Sequence, residues 1–340
     1  MLRRLLVGCA AFGAAMGLAA CVSVAVGSSG VSLRQVASVM LGWVPGVRAS
    51  LGPVPPEVRA ILLEYRLPRV ALAGVVGLSL SVSGAALQGL LGNPLADPYV
   101  VGVSAGAAVG AALAIMAGLQ SALGGLGVPA AALVGAVVAM ATVMAISRTG
   151  GRLPARTFLL AGVVVGSFFW SLVTLLLAVS GRSMQEVMFW LLGSLSGADT
   201  ARLWMSAPPA VLAVLGLWTL SRDLNLISVG EEPAHHLGVR VETVKNVVVL
   251  LASLATASAV AVSGVIGFVG LIVPHMVRMI LGPDHRVLIP CAALCGAAFL
   301  ILADTAARTM LGATELPVGV LTALLGGPFF LYLLRSKGIR

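Results

Sequence analysis

Charge is scarce in this sequence. Acidic and basic side chains make up 10% of its 340 residues, against about a quarter in soluble domains. A chain so poor in charge cannot cover a water-facing surface, which excludes an ordinary soluble fold. Catalytic motifs are missing as well. No GxxxxGK[ST] loop occurs, so the chain does not bind ATP by that route. HExxH is absent, and no charged pair recurs at catalytic spacing, which leaves an intramembrane enzyme without machinery. Cysteines are few: Cys9, Cys21, Cys291 and Cys295, all in apolar segments. Cys291 and Cys295 would share a helix face, but no His or carboxylate flanks them. They read as small apolar filler, and no resident metal is expected.

What is present is apolar. Hydrophobic residues make up 59% of the chain, and mean hydropathy is +1.07. A spanning helix takes roughly 20 apolar residues, so the length allows about ten spans and no nucleotide-binding domain. The expectation is an all-α, polytopic membrane protein, one domain over residues 1–340. The net charge of +9 sits in short loops between apolar runs. That is the positive-inside pattern, not a nucleic-acid surface.

The spans are expected near Leu5–Val26, Val70–Leu91, Val100–Leu119, Val128–Ile146, Phe158–Val179 and Leu203–Leu220. Two more fall within Asn246–Val277, meeting near Ser263-Gly264, the second broken at Pro274. The last two are Val287–Ala307 and Val318–Leu334. Arg3-Arg4 before the first span resembles a signal peptide, and Leu18-Ala19-Ala20-Cys21 a lipoprotein cleavage site. The apolar run outlasts a signal h-region of about 7–15 residues, so an uncleaved span is expected. Leu33–Trp43 and Pro56–Tyr65 read as short surface helices, and Ser221–Lys245 as the longest polar loop of the second half.

An even number of spans puts both termini on one side. Arg148, Arg152, Arg156, Arg222, Arg240, Lys245, Arg335, Lys337 and Arg340 make that side cytoplasmic. The other side still holds Arg34, Arg48, Arg59, Arg66, Arg69, Arg182, Arg202 and Arg308. These are interfacial anchors or a docking surface for an acidic partner.

Three stretches carry the functional signal. Ser83–Gly102 has polar Gln88, Asn93 and Asp97, with breaks at Asn93-Pro94 and Asp97-Pro98. Irregular backbone at membrane depth lines cavities or lies buried in protein, so this stretch reads as part of a translocation pathway. In Ser228–Gly238, Glu231 and Glu232 favour a helix start, Pro233 fits a first turn, and Gly238 suits a C-terminal cap. A helix of about two turns is unstable alone and needs a protein to lie against. His235 and His236 are adjacent, face different ways, and do not suggest metal. Near the other end of the chain, His275 is read as bonding a carbonyl freed by Pro274. Asp304 is expected to pair with Arg308 four residues on, and Glu315 to order the loop before the last span.

Arg66-Leu67-Pro68-Arg69, Ser83-Gly84, Gln88 and Asn93–Pro98 resemble the permease subunits of ABC importers for iron–siderophore complexes, haem and vitamin B12. So do Trp190–Leu195, Gly230–Val239, Gly264–Arg278, Gly282–Arg286 and Ala303–Gly319. The resemblance covers nearly the whole chain, in order. Gly92 departs from it, since many relatives carry a charged residue before Asn-Pro. The resemblance implies the type II importer permease fold, FecCD-like. It implies a homodimer in the bacterial inner membrane, with the pathway on the two-fold axis. Two ATPase subunits, which hold ATP and magnesium, would bind the cytoplasmic face, and a periplasmic binding protein would deliver substrate. Asn93 and Leu95 would match a cytoplasmic gate. Glu231, Glu232, Pro233, His235, His236, Leu237 and Gly238 would match the coupling helix. Arg66, Arg69 and Arg308 would receive acidic residues of the binding protein. The competing class, an ion-coupled secondary transporter, would favour titratable residues at mid-span, and the fourth and fifth spans have none.

Overall fold

The computed structural model describes residues 1–27, 30–41, 54–312 and 314–336. Trp43, Arg48, Lys337 and Arg340 lie outside the described residues. The described residues are helical, with no strand among them.

Helix α1 is Leu2–Ala25, α2 is Leu33–Leu41, and α3 runs without interruption from Pro56 to Leu90. Then come α4 (Val103–Met116), α5 (Gly127–Ser147), α6 (Ala155–Val179), α7 (Met184–Leu191) and α8 (Thr200–Thr219). Next are α9 (Ser221–Val229), α10 (Glu231–His236) and α11 (Val241–Ser263). The chain ends with α12 (Val269–Leu281), α13 (His285–Thr309) and α14 (Val318–Ser336). Among the described residues seven helices are long and apolar enough to cross a membrane, and α4 adds a further span when joined to the bent segment after it. The shorter apolar α12 and α14 fall on the remaining two expected spans. The chain is a multi-pass membrane protein of the architecture its composition implied.

Helix α3 is the axis of the fold. It packs against α13, α11, α8 and α12. Of its most apolar stretch 78% is buried, against 22% for α6. Backbones meet here through glycine. A Cβ on Gly84 would lie 1.9 Å from the Gly270 carbonyl oxygen, and one on Gly77 would lie 2.2 Å from that of Gly296. Small residues at such crossings let helices approach closely, which is the main source of packing energy in lipid.

The structure corrects four expectations. Pro56–Tyr65 is not a separate surface helix; it is the first part of α3. The chain passes Pro68 by widening into a π-turn at Ile61–Arg66, where Leu67 N–H reaches back to the Leu62 carbonyl. That widening relieves the clash a proline ring makes with the preceding turn. Ser221–Lys245 is mostly helix, because Leu224, Ile227 and Ala234 find apolar cover. The third expected span begins later than Val100, because Pro98–Val101 forms a 3-10 turn capped by Asp97 before α4 starts. Finally, α12 runs through Pro274, and the interruption lies at 264–268, before it. Proline frees the carbonyl four residues back, that of Gly270. Gln88 Nε2 donates to it at 3.1 Å, so the helix continues. The expected partner, His275, is not needed for that carbonyl.

Candidate functional site

The two ends of α3 gather the polar side chains. At its C-terminal end Gly92, with φ of 57°, turns the chain out of the helix. Asn93 Oδ1 then accepts from Leu95 N–H at 2.9 Å, and Asp97 Oδ1 from Tyr99 N–H at 2.8 Å. These are the side-chain turns that Asn-Pro and Asp-Pro favour. Leu95 is left exposed. Tyr99 closes the segment against the loop before α12. Its hydroxyl donates to the Ile266 carbonyl at 2.8 Å and accepts from Ile266 N–H at 3.1 Å. Burial pushes the Asp97 carboxyl up to about 6, opposed by the Tyr99 N–H. Burial and the Asp97 charge push the Tyr99 phenol up as well.

Gln88 is the hub of this end, and sequence reasoning noted it without finding its partners. Besides Gly270, it accepts from Arg278 Nη2 at 3.0 Å through Oε1. Nearby, Asn225 Nδ2 donates to Asp284 at 2.7 Å. Arg286 donates to both oxygens of the same carboxylate and holds it well below the usual carboxylate range. Asn225 on α9 and Asp284, which caps α13, were legible only as single polar residues.

On the same side, α10 stands exposed except for Ala234. Glu231 and Glu232 open it and Pro233 lies in its first turn. Gly238, at φ of 86°, ends it. Gly238 N–H donates to the His235 carbonyl and Val239 N–H to that of Ala234. This double bond is a Schellman cap, with Val239 and Ala234 buried together. Lys245 anchors the helix to α11: buried at 2% exposure, it donates to Glu231 at 2.8 Å and to Glu242 at 3.2 Å. Glu242 in turn accepts from Leu153 N–H at 2.8 Å. His236 and Leu237 point to solvent. The rings of His235 and His236 are 6.2 Å apart and tilted, and the described residues hold no metal-binding cluster.

At the N-terminal end of α3 the three expected arginines do converge, from α3 and α13. With Gly27, Ile61, Tyr65, Ser196, Ala198 and Glu315 they line a cavity of about 330 Å³. They are more enclosed than an open docking surface requires. Arg66 is 5% exposed and donates to the Val24 and Ala25 carbonyls at the end of α1. Arg308 is 8% exposed and donates to Ser23. Asp304 does not pair with Arg308. It is held by Arg69, whose Nε and Nη2 fork its two oxygens at 2.9 and 3.0 Å. The terminal carbonyls of α1 draw Arg308 away, since unpaired carbonyls there need donors. Arg69 Nη1 also reaches Glu315, at 2.9 and 3.1 Å. Glu315 thus orders its loop, as read from the sequence, through Arg69.

Two thiols meet elsewhere. Cys9 Sγ and Cys291 Sγ are 3.9 Å apart across α1 and α13, a contact no sequence spacing could show.

A model of the FecCD transport family matches residues 15–336. The cobalamin import system permease BtuC of Halobacterium salinarum is 46% identical over 84% of this chain and 76% of its own length. The hemin transport system permease HmuU of Yersinia pestis is 43% identical over 81% and 83%. The molybdate import system permease MolB of Haemophilus influenzae is 33% identical over 95% and 94%. Among solved structures, one described as an inward-facing metal-chelate type ABC transporter superposes with a TM-score of 0.83. It is 31% identical and covers 96% of this chain and 98% of that one.

Proposed function

The chain belongs to the FecCD transport family and is an ABC importer permease, and from that premise we propose that it carries a metal chelate inward across the bacterial inner membrane. The proposed cargo is a corrinoid such as vitamin B12 or an iron complex, either haem or a siderophore. Support comes from the relatives named for cobalamin and hemin, both above 40% identical. The molybdate relative is less similar.

The working unit in this reading is a homodimer with two ATPase subunits and a periplasmic binding protein. Both termini face the cytoplasm. At the α10 end, Arg148, Arg152, Arg156, Arg222, Arg240, Arg278 and Arg286 outweigh the acids. At the opposite end, Arg34, Arg59, Arg66, Arg69, Arg182, Arg202 and Arg308 are nearly matched by Glu57, Glu64, Glu186, Asp199, Asp304 and Glu315. The positive-inside bias then makes the α10 end cytoplasmic. ATP and magnesium belong to the ATPase subunits.

One observation carries the mechanism. A short, exposed helix, α10, is bolted by buried Lys245 to the spanning helix α11. An ATPase pressing on α10 would move α11 rather than bend a loop. Asn93 and Leu95 form the cytoplasmic gate at the turn after α3, where Leu95 is the exposed apolar side chain. Tyr99 ties that turn to the loop before α12, so the two move together. Arg66, Arg69 and Arg308 receive the binding protein at the opposite end.

Replacing His236 and Leu237 together by Asp tests the α10 assignment. Both side chains are exposed, so the fold is expected to survive. A charge buried at a partner groove without a counter-charge costs several kcal/mol. The ATPase is expected to drop out of a pull-down while membrane insertion stays normal. Undiminished association would remove α10 from the interface.

A further inference from the structure

The cavity at the arginine end holds a carboxylate of the chain's own that is placed differently from its neighbour. Arg69 serves two acids. Asp304 is 2% exposed and takes Nε and Nη2 in a fork. Glu315 is 46% exposed and takes the remaining Nη1 from the cavity side. The first pair is locked inside the bundle. Breaking it would leave a buried charge alone. The second is a half-solvated ion pair of the kind worth little by itself. Another carboxylate could displace it at small cost.

A donor beside the cavity is also unfilled. Arg308 is more than nine-tenths buried and lines the cavity, and its Nε has no hydrogen-bond partner among the described residues. An unsatisfied buried guanidinium nitrogen is costly unless something fills its place. The site thus combines one exchangeable acid with an unfilled cationic donor, in about 330 Å³ of space. That volume admits a carboxylate side chain.

Glu315 is connected as well as exchangeable. The next residue, Leu316, donates its N–H to the Ala307 carbonyl at 3.1 Å. Pro317 then leads directly into α14. Two positions into α14, Gly319 N–H donates to the Gly193 carbonyl. Further along, Gly326 lies against the ring of Phe268, which sits at φ of 68° in the loop before α12. A non-glycine residue in that region is strained and needs its surroundings to hold it. Releasing Glu315 therefore frees the leading end of the helix that supports a strained loop.

We propose that this cavity is a carboxylate socket and that Glu315 is its resident occupant, displaced by an acidic side chain of the docking partner, with the exchange releasing the start of α14. The inference rests on the reading that a binding protein docks at this end, and it adds an internal competitor to that surface. Docking here is an exchange, so its strength is set by the difference between two carboxylates on Arg69. Removing the resident acid must strengthen docking, where loss of an ordinary structural residue would weaken it.

The test compares wild type with Glu315→Gln and Glu315→Asp, each as the assembled transporter in nanodiscs with its cognate binding protein. Glu315→Gln is expected to tighten docking about tenfold. Glu315→Asp, which keeps the charge, is expected to stay within about threefold of wild type. Unchanged or weaker docking by Glu315→Gln would overturn the proposal. A second arm needs no partner. Hydrogen exchange at the Leu316 amide is expected to rise at least fivefold in Glu315→Gln, while exchange in the middle of α3 stays constant. A Leu316 amide that exchanges at the wild-type rate would equally refute the release of α14. Wild-type transporter that never docks its binding protein would instead sink the docking reading, with the exchange arm still deciding the latch.

Discussion

Arg69 shows how a single residue can stand out in a sequence while its partner does not. The sequence points to Arg69 as a conspicuous arginine, and to Asp304 as a costly acid in an apolar run. Local spacing offers Asp304 only Arg308, four residues on. The observed partner lies 235 residues away in sequence, a distance no pattern reaches. The consequence is measurable. Arg69→Ala strands Asp304 in a buried site, and breaking a buried pair from one side costs about 3–5 kcal/mol. Arg69→Lys is expected to lose less, keeping the charge but not the fork. Thermal unfolding in detergent checks the order wild type, Lys, Ala; an Ala variant as stable as wild type would mean that Asp304 finds another partner. Asp97 gives a second prediction at this scale. Its carboxyl is raised to about 6 in the fold by burial, above the ordinary value near 4. A raised acid favours the folded state when protonated. Its contribution is therefore full below about pH 4 and lost as pH rises through about 6. Asp97→Asn removes the titrating group. Melting temperature is expected to lose the part of its pH dependence that lies between pH 4 and 6. A variant that keeps the wild-type slope would place the titration on another residue.

The elements were legible where hydrophobic periodicity was long, and illegible where a side chain from far away decided the outcome. The long spans fall where the apolar runs put them. Proline was the commonest source of error. Pro68 lies inside α3 because a π-turn makes room for it, and Pro274 lies inside α12 because Gln88 serves the carbonyl it frees. The second rescue comes from a side chain far away in sequence, and the first from a local widening that no hydrophobic pattern marks. Helix α9, Ser221–Val229, was missed because its apolar residues read as isolated until the bundle covers them. By contrast the cap of α10 was visible, since Pro233 and Gly238 are local signals of start and stop. Gln88 is the place to test this reading. Gln88→Leu keeps the volume and removes both polar atoms, leaving the Gly270 carbonyl without its donor and the Arg278 guanidinium without its acceptor. The loss is expected at about 1–3 kcal/mol, with Gln88→Glu retaining the Arg278 bond and losing less. If Gln88→Leu melts with wild type, the Gly270 carbonyl has found another donor and the continuity of α12 through Pro274 needs a different cause.

At the scale of the whole molecule, one buried helix carries two polar ends with different tasks. The α10 end is basic, and its short helix is pinned to a spanning neighbour. The opposite end is nearly balanced in charge, and its arginines are held inside by the chain's own acids and by the end of α1. Substrate identity is the least legible property, because relatives between 33% and 46% identical are named for molybdate, hemin and cobalamin. The measurement that decides is uptake into proteoliposomes. They would contain this permease with its genomically neighbouring ATPase, and the binding protein outside. Labelled cobalamin, haem and a ferric hydroxamate are offered in parallel. At least one of them should accumulate, only with ATP in the lumen and only with the binding protein outside. Accumulation that follows an ion gradient, needing neither ATP nor the ATPase, would refute the assignment of this chain to inward chelate transport driven through α10.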